Sequence, residues 1–206
     1  MKIVKKEYLK ESYDRWDLEV EDTHNFVANG IVAHNSNSSI VIVDGVIKVN
    51  SRNYSLAESD TNSYWMGARN SGIIAAMDSL PEGTWVYGEL VPTQKFRYGQ
   101  NKPIVFVFDI KGPDGEFWPW DMVEKWCEEF SIPTAPVLYR GPFDMKKLEV
   151  VAGGMEPISG NKIHINEGVV IRPLVERKNY RGNRVIAKLV NPVYLTGDWD
   201  NEKTGG

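Results

Sequence analysis

Residues 24–52 read HNFVANGIVAHNSNSSIVIVDGVIKVNSR. Two short apolar runs, 26–28 and 31–33, flank Asn29-Gly30. Asn-Gly lets both central residues of a tight turn take positive φ, so this stretch predicts a small β-hairpin. A second hairpin is predicted around Asp44-Gly45, where alternating and β-branched residues run through SIVIVDGVIKV. Between the two stands His34-Asn35-Ser36, with no Pro and no linker composition. Two strand-rich pieces that abut without a spacer are unusual for tandem domains.

Working outward, the N-terminal segment reads as strands (MKIVKKEYL, then WDLEVED). Downstream, Ile73, Ile74, Met77 and Leu80 recur at helical spacing and Pro81 follows, which predicts a helix over 63–80. Strands are predicted at 84–91 and 104–110, the second apolar enough to be central in a sheet. PWDMVEKWCEEF (119–130) predicts an amphipathic helix with Trp120, Val123, Cys127 and Phe130 on its apolar face. A short helix at 142–152 ends at Gly153-Gly154, 155–166 reads as loop, and EGVVIRPL (167–174) and RVIAKLV (184–190) are strands. Strands with a few flanking helices give an α+β reading for 36–195. Residues 196–206 show no apolar periodicity and predict a flexible tail.

Composition narrows the classes. The chain has 206 residues and a net charge of -4, so any nucleic-acid surface must be local. Seven Trp and nine Tyr argue for packed structure rather than disorder. One cysteine, Cys127, excludes an internal disulfide and a multi-cysteine zinc site. No apolar run reaches membrane-spanning length and the N-terminus lacks a secretory h-region, so the expectation is a cytoplasmic protein with no membrane partner.

The junction has its own chemistry. An Asn side-chain amide can attack its own backbone carbonyl, form a succinimide and cleave the chain after itself, given near-attack geometry. A neighbouring His can carry the proton, and a following Ser hydroxyl can accept an acyl group. DLEVEDTHNFVANGIVAHN followed by Ser resembles the C-terminal splicing blocks of an intein. The likeness covers residues 1–35, about the C-terminal fragment of a split intein, and implies Hint-type β-hairpins there. It implies that Asn35 cyclises, that His34 assists, that Ser36 is the acyl acceptor and that His24 supports the same steps. Many relatives carry an acid just before that histidine; this chain has Thr23 there and Asp22 one residue earlier. The resemblance also implies a partner, an N-terminal intein half on another polypeptide, since 35 residues cannot form a core alone.

From Ser36 onward SNSSIVIVDG…NSR, VYGEL, FVFDI, EGVVIRP and RVIAKLVNPVYL resemble, in order, the motifs of phage-type, nick-sealing RNA ligases of the nucleotidyltransferase superfamily. That likeness spans about 36–195 and implies an antiparallel-sheet adenylyltransferase domain with flanking helices. It implies ATP and Mg2+ as cofactors, RNA ends as substrates, and a cytoplasmic setting in a bacterial or phage-infected cell. Such ligases attack ATP with a lysine, pass AMP to an RNA 5′-phosphate and seal with a 3′-hydroxyl, chemistry that needs cations at the phosphate and carboxylates for sugar and metal. By the resemblance Asn37 sits near the nucleotide phosphate, Arg52 contacts AMP, Glu89 serves ribose and metal, Phe108 stacks on adenine, Glu167 acts with metal, and Lys188 contacts the phosphates.

Two departures stand out. The last strand commonly carries Lys-x-Lys, and here it is Lys188-Leu189-Val190. The family's first motif is Lys-x-(Asp/His)-Gly followed by small polar residues. Here the followers Ser36-Asn37-Ser38-Ser39 are preceded by the intein-like block instead. Trans-splicing would graft a segment ending in that lysine motif onto Ser36, and the unspliced chain should not self-adenylylate. The alternatives are a DNA ligase or capping-type nucleotidyltransferase, and a catalytically dead module that binds ATP or RNA ends. A stripe of Lys95, Arg97, Arg177, Lys178, Arg181 and Arg184 is a candidate RNA-backbone contact.

Overall fold

The computed structural model describes residues 26–29, 37–92, 97–160 and 162–196. Asp22, His24, His34, Asn35, Ser36 and Lys95 lie outside them, as do the strands expected over 1–9 and 16–22 and residues 197–206. The chain runs β1 (Phe26–Asn29), β2 (Asn37–Val43), β3 (Val46–Ser51), β4 (Ser55–Leu56), α1 (Ser63–Asn70) and α2 (Ile73–Ala76). It continues through β5 (Trp85–Val91), β6 (Ile104–Lys111), α3 (Trp120–Glu129), β7 (Val137–Gly141), α4 (Met145–Ala152), β8 (Gly168–Pro173), β9 (Ala187–Val190) and α5 (Pro192–Thr196).

These strands form two antiparallel sheets, a five-stranded one ordered β4-β3-β2-β5-β6 and a four-stranded one ordered β7-β1-β8-β9. The β2–β3 hairpin turns at Asp44-Gly45, both at positive φ (54° and 70°), as the sequence predicts. Alternation sets the faces. Ile40, Ile42, Val49, Val86, Leu90, Val105 and Val107 enter a large core with Trp65, Met77, Trp120, Val123 and Trp126 from the helices. Asn37, Ser39, Tyr87 and Glu89 take the opposite face by the same period. In the smaller sheet Val169, Ile171, Ala187 and Leu189 pack with Leu148 and Ala152 of α4. That leaves Val170, Arg172 and Lys188 on the other face.

The structure corrects several sequence expectations. The hairpin expected from FVA-NG-IVA is not what strand 26–29 pairs into: β1 pairs along one edge with β7 and along the other with β8. The helix expected over 63–80 breaks at Ser71-Gly72, where Gly72 has φ 78°, and ends in a 3-10 turn at Met77–Ser79. β6 is an edge strand rather than a central one. Its apolar composition reflects covered faces, and its outer side is bridged at Val107, whose N–H donates to the Pro133 carbonyl and whose carbonyl accepts from the Ala135 N–H. β9 begins at Ala187 rather than at 184, because Arg184 and Val185 bridge back to the 177–178 segment.

Candidate active site

The two sheets meet at a charged joint. Arg172 of β8 donates from Nη1 to Asp109 Oδ1 of β6 at 2.6 Å, and a second nitrogen donates to the Phe108 carbonyl. Arg184 grips the same carboxylate at 2.6 and 2.8 Å and also holds Glu176. Both guanidiniums lie over aromatic rings, Arg172 on Trp120 at 4.4 Å and Arg184 on Phe117 at 4.1 Å. Burial lowers the Arg172 pKa and Asp109 opposes it. Burial also works against Arg184, but its hydrogen bonds to Glu176 and Asp109 win and raise its pKa.

A second cluster gathers the predicted acids and lysine. Glu89 and Glu167 are 3% and 6% exposed, too deep for ordinary surface carboxylates. Glu89 lies on β5 opposite Asn37 of β2 and Phe106 of β6. Glu167 enters β8 just before Gly168, whose φ is 144° and whose absent Cβ would lie 2.2 Å from the Leu189 carbonyl oxygen. Only glycine lets β9 come that close. The Glu167 carbonyl accepts from the Asn191 backbone N–H at 2.9 Å. Lys188, paired with Val170 across the ladder, is within electrostatic reach of both acids. Burial lowers its pKa while Glu167 and Glu89 oppose the shift. Alternation puts Val190 on the same face as Lys188.

Two tyrosines complete the cluster, and sequence reading missed both. Tyr98, 2% exposed, donates to Glu167 Oε1 at 3.1 Å, with its ring against His164 at 4.6 Å. Burial, then the Glu167 charge and hydrogen bond, raise its pKa. Tyr194 of α5 also hydrogen-bonds Glu167, and burial followed by that charge pushes its pKa up to about 12. Tyr98 sits in a loop at φ 49°, and Tyr194 in a five-residue helix. Neither position has a periodic pattern to mark it. Asp109 and Arg172 lie inside quoted motifs, FVFDI and EGVVIRP, yet their ion pair spans 63 positions that a local pattern does not join.

The remaining predicted residues fall as follows. Asn37 is the ladder partner of Glu89, and its buried Oδ1 has no hydrogen-bond partner among the described residues. Phe108 sits half-buried at an irregularity of β6, next to the joint. Arg52 is exposed in the turn after Ser51, whose ladder partner is Ser38, the neighbour of Asn37. The basic stripe is only partly available. Arg184 serves the joint and Lys178 pairs with Glu116 at 2.5 Å, while Arg97 and Arg181 are exposed. Lys111, Phe117, Arg177, Lys178 and Arg184 line a cleft of about 520 Å³. Glu89, Glu167 and Lys188 do not line it.

A divalent cation fits the acid cluster on chemistry. Two buried carboxylates beside an unsatisfied amide oxygen are a hard-oxygen donor set. No group of three or more His, Cys, Asp or Glu able to hold a metal exists among the described residues, but Mg2+ needs only one or two carboxylates with phosphate and water. No helix among the described residues is long and apolar enough to cross a membrane.

A sequence profile described as RNA ligase matches residues 33–190. The chain belongs to the RNA ligase family. Its fold is similar to that of Naegleria gruberi RNA ligase with PPi, with a TM-score of 0.70 and 21% identity over 86% of this chain and 52% of that one. A lysine-to-alanine variant of the same enzyme with ATP and Mn gives 0.70 at 20% identity, over 84% and 52%. A glutamate-to-alanine variant with AMP and Mn gives 0.70 at 18%, over 84% and 52%. At these identities the likeness is one of fold, and this RNA ligase family chain spans about half the length of those solved structures. None of the curated proteins matches the chain. The antiparallel sheets with flanking helices agree with the expected architecture, and the smaller sheet also takes in β1, which lies ahead of residue 36.

Proposed function

We propose that this chain is the C-terminal precursor half of an ATP-dependent RNA ligase, completed by protein trans-splicing at the bond between Asn35 and Ser36. One observation carries the reading: buried Glu89 and Glu167 gather within reach of Lys188, a set that suits adenylyl transfer, while the segment before Ser36, where the family's nucleophilic lysine stands, is an intein-like block. The match to the RNA ligase family, and the ATP and Mn held by the Naegleria gruberi structures, support the ligase part.

In the splicing step the partner's ligase segment, held as a (thio)ester on the first side-chain nucleophile of its intein half, passes its acyl group to the Ser36 hydroxyl. That (thio)ester bond breaks, the nucleophile leaves with the hydroxyl proton, and an ester on Ser36 results. The Asn35 amide nitrogen then attacks its own carbonyl, releasing the Ser36 amine, and the ester shifts to that amine as an ordinary peptide bond. His34 and His24 carry the protons, with Asp22 as a further candidate. In the ligase, the divalent cation supplies charge neutralisation at the phosphates when bound. Glu89 and Glu167 hold it, with Tyr98 and Tyr194 fixing the Glu167 carboxylate. Lys188 meets phosphate charge, Asn37 and Arg52 approach the nucleotide from β2 and the turn after β3, and Phe108 offers a ring to the base.

The test uses a partner chain made of a ligase segment ending in Lys-x-His-Gly fused to an N-terminal intein half. Mixing should give a longer ligase and free intein by mass spectrometry, and radiolabel from ATP only on the spliced product. Asn35→Ala or Ser36→Ala should abolish splicing. Labelling of the unmixed chain would overturn the proposal.

A further inference from the structure

The position of β1 carries a consequence for how the two halves meet. A strand has two edges, and both edges of β1 are taken, by β7 and by β8. Its inner side chains serve two cores. Val27 joins the large cluster beneath the five-stranded sheet, and Ala28 joins the α4 cluster, each fully buried. Yet β1 lies ahead of the stretch 33–190 that matches the ligase family, whereas its neighbours β7 and β8 lie within it. The place between β7 and β8 is therefore built by the ligase and filled by the intein-like block.

That occupancy excludes the other arrangement legible in the block. A hairpin with 31–33 needs one edge of strand 26–28, and neither edge is free while β1 is inserted. We infer that the β7–β8 slot is a strand acceptor in which β1 is a removable placeholder, and that its final occupant is an extended segment of the partner polypeptide. The identity of that occupant rests on the trans-splicing reading. Spacing specifies it further. β1 lies seven to ten residues ahead of Ser36, so whatever is joined to Ser36 presents its own residues at that distance to the slot. The slot selects a proline-free strand with a Val-sized side chain toward the large core and a small one toward α4, because Val27 and Ala28 leave no exposed surface there. Residues 26–29 cannot serve the ligase sheet and the intein hairpin at once, so docking of the intein halves vacates the slot as splicing proceeds.

The experiment uses the full chain and a fluorescent synthetic peptide of residues 24–31. Val27→Pro removes a ladder N–H and ejects β1. The V27P chain should bind the peptide at least tenfold more tightly than the unmodified chain, where the tethered β1 competes at millimolar effective concentration. Equal affinity for both chains, or no binding to a V27P chain with native near-UV circular dichroism, overturns the inference. Should V27P lose its fold, a trap decides the matter. Ala28 and Ile171 are ladder partners, so a chain carrying Ile171→Cys should form a disulfide with the peptide carrying Ala28→Cys at least tenfold faster than with a scrambled peptide. Cys127 is buried and the scrambled peptide controls for it. Equal rates overturn the inference. Neither readout involves excision, so failure here leaves the splicing proposal standing. A chain that accepts the peptide but never splices refutes the splicing proposal alone.

Discussion

Replacing Asp109 by Asn tests the joint between the sheets. Asp109 is the carboxylate shared by Arg172 and Arg184, with side-chain exposures of 8%, 2% and 15%. The Asn would keep the shape and remove the charge. Arg184 would keep Glu176, but Arg172 would be left with the Phe108 carbonyl and the Trp120 face. Removing one partner of a buried ion pair typically costs about 3–5 kcal/mol, because the remaining charge has already lost its water. Against a whole stability of roughly 5–15 kcal/mol that is a large share. At about 2–4 °C per kcal/mol for a domain of this size, the melting temperature should fall by roughly 6–20 °C in differential scanning calorimetry. A double variant, Asp109→Leu with Arg172→Met, should recover most of the loss, since both buried charges go together. A D109N chain within about 1 kcal/mol of the parent in urea titration, or a double variant no better than D109N, would refute the reasoning.

Gly168→Ala should push β9 off β8, since the new Cβ meets the Leu189 carbonyl oxygen at 2.2 Å. The spliced product should then lose at least tenfold in adenylylation, measured by label from ATP, as Glu167 and Lys188 shift apart. Tyr98→Phe removes a donor from Glu167 and should raise the Mg2+ concentration for half-maximal adenylylation by several-fold; an unchanged titration counts against its role. Val190→Lys adds a second cation beside Lys188 and should tighten ATP binding relative to AMP by about tenfold, or ~1.4 kcal/mol, in calorimetry. Burial pushes the Cys127 thiol up to about 12, with Glu124 adding to it. A raised folded pKa means that stability is intact below the unfolded value near 9 and is lost as pH climbs from there toward 12. At pH 10 the loss is about 1.4 kcal/mol, and Cys127→Ala should remove that pH dependence in urea titrations.

Local pattern carried much of this fold. Asp44-Gly45 marked its turn, and the period of Trp120, Val123 and Cys127 marked α3. The acids and lysine were legible because the resemblance tied their motifs together in order. What stayed hidden was long-range. The edge placement of β6 depends on pairing partners that its own composition does not name. Tyr98 reaches Glu167 across 69 positions, and β7 (VLYRG) shows no alternation of burial to announce it. The two edges of β1 are the sharpest case. Asn29-Gly30 signals a hairpin by local rules, yet β1 pairs along both edges, with β7 and with β8.

The bridge at the margin of β6 bears on self-association. Unpaired backbone at a sheet border is a template on which copies of a protein can stick to one another. Here the outer strand β6 is bridged at Val107 by residues 133–135. On the opposite side of that sheet β4 covers Val49 and Asn50 of β3, and β7 and β9 at the borders of the smaller sheet are five and four residues long. Short or bridged borders give a neighbouring molecule little to template on, which disfavours edge-to-edge association.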